Sequence, residues 1–196
     1  MAMPVAGDQV PRLGNLVTRA FGRALLAVLG WRVEGQLPNT AKFVAVGAPH
    51  KSYFDVMIGL SVVVALGLRV NWMAKHTAFK PPFGTLIKRL GGVPINRTAS
   101  ENVVDQMVQK IRNAARIILI VMPEGARKRA GVPVSEWKTG FYYIALNANV
   151  PILPVFIDNP GKRVIFGPTL NPTGDKAHDL AQLQTFYTNP RKEIPA

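Results

Sequence analysis

"KFVAVGAPHKSYFDVMIGL", residues 42–60, changes structural type twice within a short span. Residues 42–47 read as a short strand, rich in β-branched and aromatic side chains. Pro49 and His50 then fall in a loop. A helix begins near Tyr53 and continues through an apolar segment, residues 54–66, which is expected to be buried. His50 precedes Asp55 by five positions. On a helix, residues three or four apart share a face and residues five apart do not. On a strand, an odd separation puts side chains on opposite faces. The two side chains can therefore meet only if the chain bends between them, and a strand–loop–helix passage supplies that bend. It also places His50 outside the carboxyl end of a strand, where open α/β sheets put their sites.

Two readings of the pair stand side by side. As a dyad, Asp55 fixes the imidazole tautomer and His50 takes a proton from a hydroxyl. As local structure, Ser52 and Asp55 have the spacing of a capping box, which makes Asp55 a helix cap and His50 an ordinary loop residue.

Outward from this stretch, strands alternate with helices. Strands are expected at about 31–35, 69–74, 116–122, 150–158 and 162–166. "RIILIVM" at 116–122 is apolar without interruption after Arg116 and mostly β-branched, the pattern of a strand buried on both faces. Residues 98–115 form the clearest helix, with Thr98 and Glu101 at capping-box spacing. Further helices are expected over 136–148 and 175–187. The alternation predicts an α/β single domain: a mostly parallel or mixed central sheet flanked by helices. Residues 12–30 read as an amphipathic helix. Leu13, Leu16, Val17, Phe21 and Leu25 recur at three- and four-residue steps, and Arg12, Arg19 and Arg23 lie on the other side. The chain accordingly divides into an N-terminal, membrane-associating segment, residues 1–30, and a domain over residues 31–196.

Composition narrows the chemistry. Lys and Arg number 24 against 11 Asp and Glu, a formal charge of +13, which suits phosphate-bearing partners. There is no cysteine, which excludes disulfides and thiol nucleophiles. The three histidines lie far apart, so no metal is expected. The apolar runs are shorter than the ~20 residues that cross a bilayer, and the first residues lack the basic-then-apolar order of a signal peptide. Nucleic acid is not an expected partner: no aromatic RNA-binding signature or zinc-finger spacing occurs.

"HKSYFD" at 50–55 resembles the first block of the phospholipid/glycerol acyltransferases, the lysophosphatidic acid acyltransferase family. "GGVPINR" (91–97), "VMPEGARKR" (121–129) and "VPILPVF" (150–156) resemble that family's other three blocks, in its order. The segment between the first two blocks is similar as well, so the resemblance covers residues 40–158. Three positions depart from the family pattern: Pro49 stands for an asparagine, Asn96 for an aspartate and Ala126 for a threonine.

The resemblance implies transfer of an acyl group from a thioester, acyl-CoA or acyl carrier protein, to a hydroxyl of a lysophospholipid. The acceptor it implies first is 1-acylglycerol 3-phosphate, giving phosphatidic acid; another lysolipid, such as a lyso-ornithine lipid, is the alternative. His50 and Asp55 are then catalytic. Arg97 and Arg127 bind the acceptor phosphate, with Lys75 beside them, and Glu124 and Gly125 belong to the acceptor site, Glu124 orienting a basic neighbour. Val56, Met57, Leu60 and Val64 are candidates for an acyl-chain slot. No cofactor beyond the thioester co-substrate is implied. The expected setting is cytoplasmic, on an anionic membrane surface. The readings outside this family are a basic nucleic-acid- or membrane-binding module and an acyl-CoA thioesterase.

Overall fold

The computed structural model describes residues 3–50, 52–82, 84–95, 103–125 and 131–190. Among them the strands are β1 (Arg32–Gly35), β2 (Lys42–Ala48), β3 (Asn71–Lys75), β4 (Gly92–Ile95), β5 (Ile117–Val121), β6 (Ile152–Asp158) and β7 (Arg163–Phe166). The helices are α1 (Leu16–Val28), α2 (Tyr53–Leu66), α3 (Gly84–Arg89), α4 (Val103–Asn113), α5 (Gly140–Ala148) and α6 (Lys176–Thr188). The strands form one sheet in the order β1-β7-β6-β2-β5-β3-β4. Every neighbouring pair is parallel except β6–β7. The expected mixed α/β sheet is what the chain builds.

Each central strand is buried on both faces, and its period of two sorts side chains between two helical layers. On β2, Val44, Val46 and Ala48 pack with Met107 and Ile111 of α4, Phe141 of α5 and Leu183 of α6. Phe43 and Ala45 point the other way, onto Leu26 of α1 and Ile58, Val62 and Ala65 of α2. Because β2, β5 and β6 run parallel and adjacent, their carboxyl ends open side by side at one edge of the sheet.

Several expectations need correction. α1 begins at Leu16 rather than near residue 12, because Gly14 turns with φ +83° and Asn15 caps the helix in a reciprocal pair with Thr18. α5 starts only at Gly140; the Lys138 N–H is drawn to the Pro123 carbonyl at 3.0 Å, which takes the preceding residues out of the helix. α3 and β4 were not foreseen. β4 is four residues long with Pro94 inside it, which weakens a strand signal. As the outermost strand among the described residues it pairs there on one side only, so the missing Pro94 N–H is tolerated. Thr98 and Glu101 lie outside the described residues.

α2 is not a wholly buried helix. Ile58, Ser61, Val62, Ala65 and Leu66 face the sheet and α1, while Tyr53, Val56, Met57 and Leu60 on its other side are exposed. α1 crosses α2 closely at Gly22, where a Cβ would stand 2.5 Å from the Ala65 nitrogen. The wide apolar face of α1 is turned away from this contact: Leu16, Val17, Phe21 and Val28 are 68–85% exposed. Among the described residues no helix is long and apolar enough to cross a membrane.

Candidate active site

The site forms where the ends of β2, β5 and β6 meet. Leaving β2, the chain reaches His50 and enters α2 through Ser52, the helix N-cap. The Ser52 N–H donates to Asp55 Oδ2 at 2.7 Å, and the Asp55 N–H reaches Ser52 Oγ at 3.4 Å. The capping-box reading of Asp55 is thus fulfilled. It occupies only one carboxylate oxygen. The other, Oδ1, accepts from the Asn159 side-chain amide at 2.9 Å, from the segment that follows β6. Asp55 is 1% exposed, deeper than a helix cap requires.

Glu124 follows β5 and is 2% exposed. Its carboxylate points inward and spans two backbone donors: the His50 N–H at 2.7 Å to Oε2 and the Gly131 N–H at 2.5 Å to Oε1. A buried carboxylate needs such partners. Here one of them fixes the backbone at the histidine, so Glu124 ties the end of β5 to the end of β2. Gly125 adopts φ +77°, a conformation that favours glycine, and the Lys138 side chain passes over it, 2.8 Å from where a Cβ would sit.

The imidazole of His50 is half-buried, and its Nδ1 is buried with no hydrogen-bond partner among the described residues. The His50 backbone is thus tied to the Glu124 carboxylate, and Nδ1 keeps an unused hydrogen-bonding position.

The Tyr187 hydroxyl, from α6, lies on the seam between β2 and β6. It donates to the Val46 carbonyl at 2.6 Å and accepts the Val155 N–H at 3.2 Å. Burial pushes its phenol far above the usual range, and the Glu124 charge adds to this.

Of the residues singled out in the sequence, the structure brings His50, Asp55, Glu124 and Gly125 to one sheet edge. Arg97 and Arg127 lie outside the described residues, as does the side chain of Lys75, whose backbone ends β3. Val56, Met57, Leu60 and Val64 are 38–55% exposed and make an open apolar stripe, because α2 buries its opposite side. Asn159, Lys138 and Tyr187 were missed. "IDNPGK" shows only a strand end and a turn, and nothing local says that the asparagine reaches across to Asp55. Among the described residues no cluster of His, Asp and Glu comes together that would hold a metal ion.

A mixed α/β sheet with a histidine, a buried aspartate and a buried glutamate at its carboxyl edge defines a class of fold and site. Residues 31–158 match the family described as Acyltransferase, and the chain belongs to that family. The resemblance carried by the four blocks is borne out. The chain is 30% identical to a 1-acyl-sn-glycerol-3-phosphate acyltransferase of Haemophilus influenzae over 156 residues, 76% of this chain and 63% of that protein. It is 29% identical to the Escherichia coli protein of the same name, over 74% of this chain and 59% of that one. The chain thus spans less than two thirds of the length of these curated relatives. The crystal structure of the 1-acyl-sn-glycerophosphate (LPA) acyltransferase PlsC from Thermotoga maritima superposes with a TM-score of 0.58 and 19% identity. That match covers 92% of this chain and 80% of the other, and it concerns the fold.

Proposed function

We propose that this chain is an O-acyltransferase that moves an acyl group from acyl-CoA or acyl carrier protein to the free hydroxyl of 1-acylglycerol 3-phosphate, giving phosphatidic acid. The observation that carries this is the placement of His50 beside a buried carboxylate at the carboxyl edge of the sheet, in a chain of the acyltransferase family. The names of its relatives supply the acceptor.

In the proposed reaction His50 accepts the proton of the acceptor hydroxyl. The alkoxide attacks the thioester carbonyl, a C–O bond forms, the C–S bond breaks, and the leaving thiolate takes the proton back from the imidazolium. The thioester is already activated, so no covalent nucleophile is needed. As the substrates bind, the imidazole closes its free Nδ1 onto Asp55, which steadies the imidazolium; such bonds commonly tighten only in the Michaelis complex. Arg97 and Arg127 hold the acceptor phosphate with charge-assisted hydrogen bonds.

The same reading puts the protein on the inner face of a membrane, where both the lysolipid and the product reside. What supports this is the outward-facing apolar side of α1 and the exposed stripe of α2 that starts next to His50. The acyl chains of the substrates would lie along that stripe.

The test is thiol release from acyl-CoA, measured across a panel of lysolipids and glycerol 3-phosphate. Release is expected to depend on 1-acylglycerol 3-phosphate. Release that ignores the acceptor would make the protein a thioesterase, and release only with lyso-ornithine lipid would move the acceptor to the other class.

A further inference from the structure

We infer that Asn159 is a positioning residue for the transfer, acting through Asp55; this rests on the general-base reading of His50 and Asp55 proposed above. An ionised carboxylate only accepts hydrogen bonds, so the amide must turn its NH₂ group toward Asp55. Nδ2 stands 2.9 Å from Oδ1 while the Ser52 N–H holds Oδ2. With a donor on each oxygen, the plane of the carboxylate is fixed from two sides. One donor comes from its own helix cap, the other from the turn after β6, 104 residues further along the chain. A helix cap alone needs only the first. The second adds nothing to the helix and sets the carboxylate's orientation relative to His50.

Asn159 is itself held rigidly. It opens the tight turn between β6 and β7, where its carbonyl accepts the Lys162 N–H at 3.2 Å and the Asp158 carboxylate accepts the Gly161 N–H at 3.0 Å. Pro160 and Gly161 fill the central positions of that turn, which suits their backbone preferences. Lys162 continues the anchoring, its ammonium donating to the Leu29 carbonyl at the end of α1 at 3.2 Å. A side chain on such a turn reaches across the end of the neighbouring strand, β2, with little freedom of its own. That is the requirement for holding a catalytic carboxylate within a narrow range of orientations.

The experiment is a double-mutant cycle on the full chain, read as kcat and KM in the thiol-release assay, with the melting temperature of each variant as a check on folding. The proteins are the parent, Asn159→Leu, Asp55→Asn and the double variant, with His50→Ala alongside. Asn159→Leu is expected to lower kcat about tenfold or more, the effect of removing one hydrogen bond to a charged group, while KM for both substrates stays near the parent's. In the Asp55→Asn background the same substitution should change kcat by less than about twofold, the scatter seen for independent sites. Asn159→Gln, which keeps the amide on a longer arm, should recover part of the loss. If Asn159→Leu fails to fold, Asn159→Ser takes its place, since its hydroxyl is too short to reach Asp55. Additive losses in the double variant, a changed KM with an unchanged kcat, or kcat within about twofold of the parent would overturn the positioning role. Full activity in His50→Ala would instead overturn the general-base reading, and this inference with it.

Discussion

The carboxylate of Glu124 accepts the backbone N–H of His50 at 2.7 Å, joining two segments 74 residues apart in the chain. Its other oxygen takes the Gly131 N–H, so one buried side chain satisfies donors on two loops at the mouth of the site. The histidine loop owes its position to this bridge as much as to β2. Glu124→Gln keeps the shape but turns a donor toward one of the two N–H groups. The unsatisfied N–H is expected to cost about 1–3 kcal/mol of stability. Activity should fall further than stability, because the displaced backbone carries His50. Urea unfolding together with initial rates checks this; equal activity in the variant would mean that the bridge is not needed to place the imidazole.

The apolar face of α1 is turned outward, while Arg12, ahead of the helix, and Arg19, within it, are held against neighbouring backbone. The Arg12 guanidinium binds the carbonyls of Leu66, Ala6 and Gly7, near the carboxyl end of α2. The Arg19 side chain lies against Gly67, with its Nε buried and without a hydrogen-bond partner among the described residues. The sequence spacing groups all three arginines opposite the apolar face. Binding to vesicles is therefore expected to depend on Val17 and Phe21 more than on Arg12 and Arg19. Phe21→Glu should abolish co-sedimentation with anionic vesicles without changing the melting temperature. Arg12→Gln should lower the melting temperature and leave vesicle binding by the folded protein intact. Arg23 is exposed, and Arg23→Gln should weaken binding by about 1 kcal/mol, the contribution of one basic residue near an acidic leaflet. Vesicle binding that survives Phe21→Glu would contradict the surface assignment of α1.

A third buried carboxylate makes a clean contrast with Asp55. Asp179 is 0% exposed and accepts from the Tyr142 hydroxyl at 2.9 Å, the Thr173 N–H at 2.8 Å and the Thr173 hydroxyl at 3.0 Å. It pins α6 to α5, away from the His50 loop. Burial, and next the hydrogen bond to Asp179, push the Tyr142 phenol from 10.0 up to about 12. Above pH 10 the unfolded phenol has lost its proton while the native one retains it. The native state then binds more protons than the unfolded state, so stability falls as pH rises between these two values. Below that window the contribution is fully present. Tyr142→Phe should lose about 1.5–3 kcal/mol at neutral pH, the worth of a hydrogen bond to a charged group, and show a shallower alkaline decline. Denaturant midpoints measured from pH 8 to 12 test both effects.

The sheet was legible because its central strands are short apolar runs separated by helical periods, and the carboxyl-edge position of His50 followed from the bend that residues 42–60 require. What escaped was tertiary. Hydrophobic spacing shows that α1 has an apolar face, but not that Gly22 on the opposite side is the surface that packs on α2. The apolar residues of α2 are spread around the whole helix, so no period tells the buried Ile58 from the exposed Leu60. The links that build the site, Glu124 to His50 and Asn159 to Asp55, join residues 74 and 104 positions apart through single polar groups. Such a contact leaves no periodic trace in the sequence around it.

The most direct measurement is acceptor-dependent thiol release by the parent and by His50→Ala, with 1-acylglycerol 3-phosphate and acyl-CoA, on protein shown by circular dichroism to be folded. His50 is the base in the proposed reaction, and a positioned base is worth about 10²–10⁴ in rate. The expected result is a loss of at least about a hundredfold in kcat for His50→Ala, with the fold intact. Activity within about tenfold of the parent would contradict His50 as the general base.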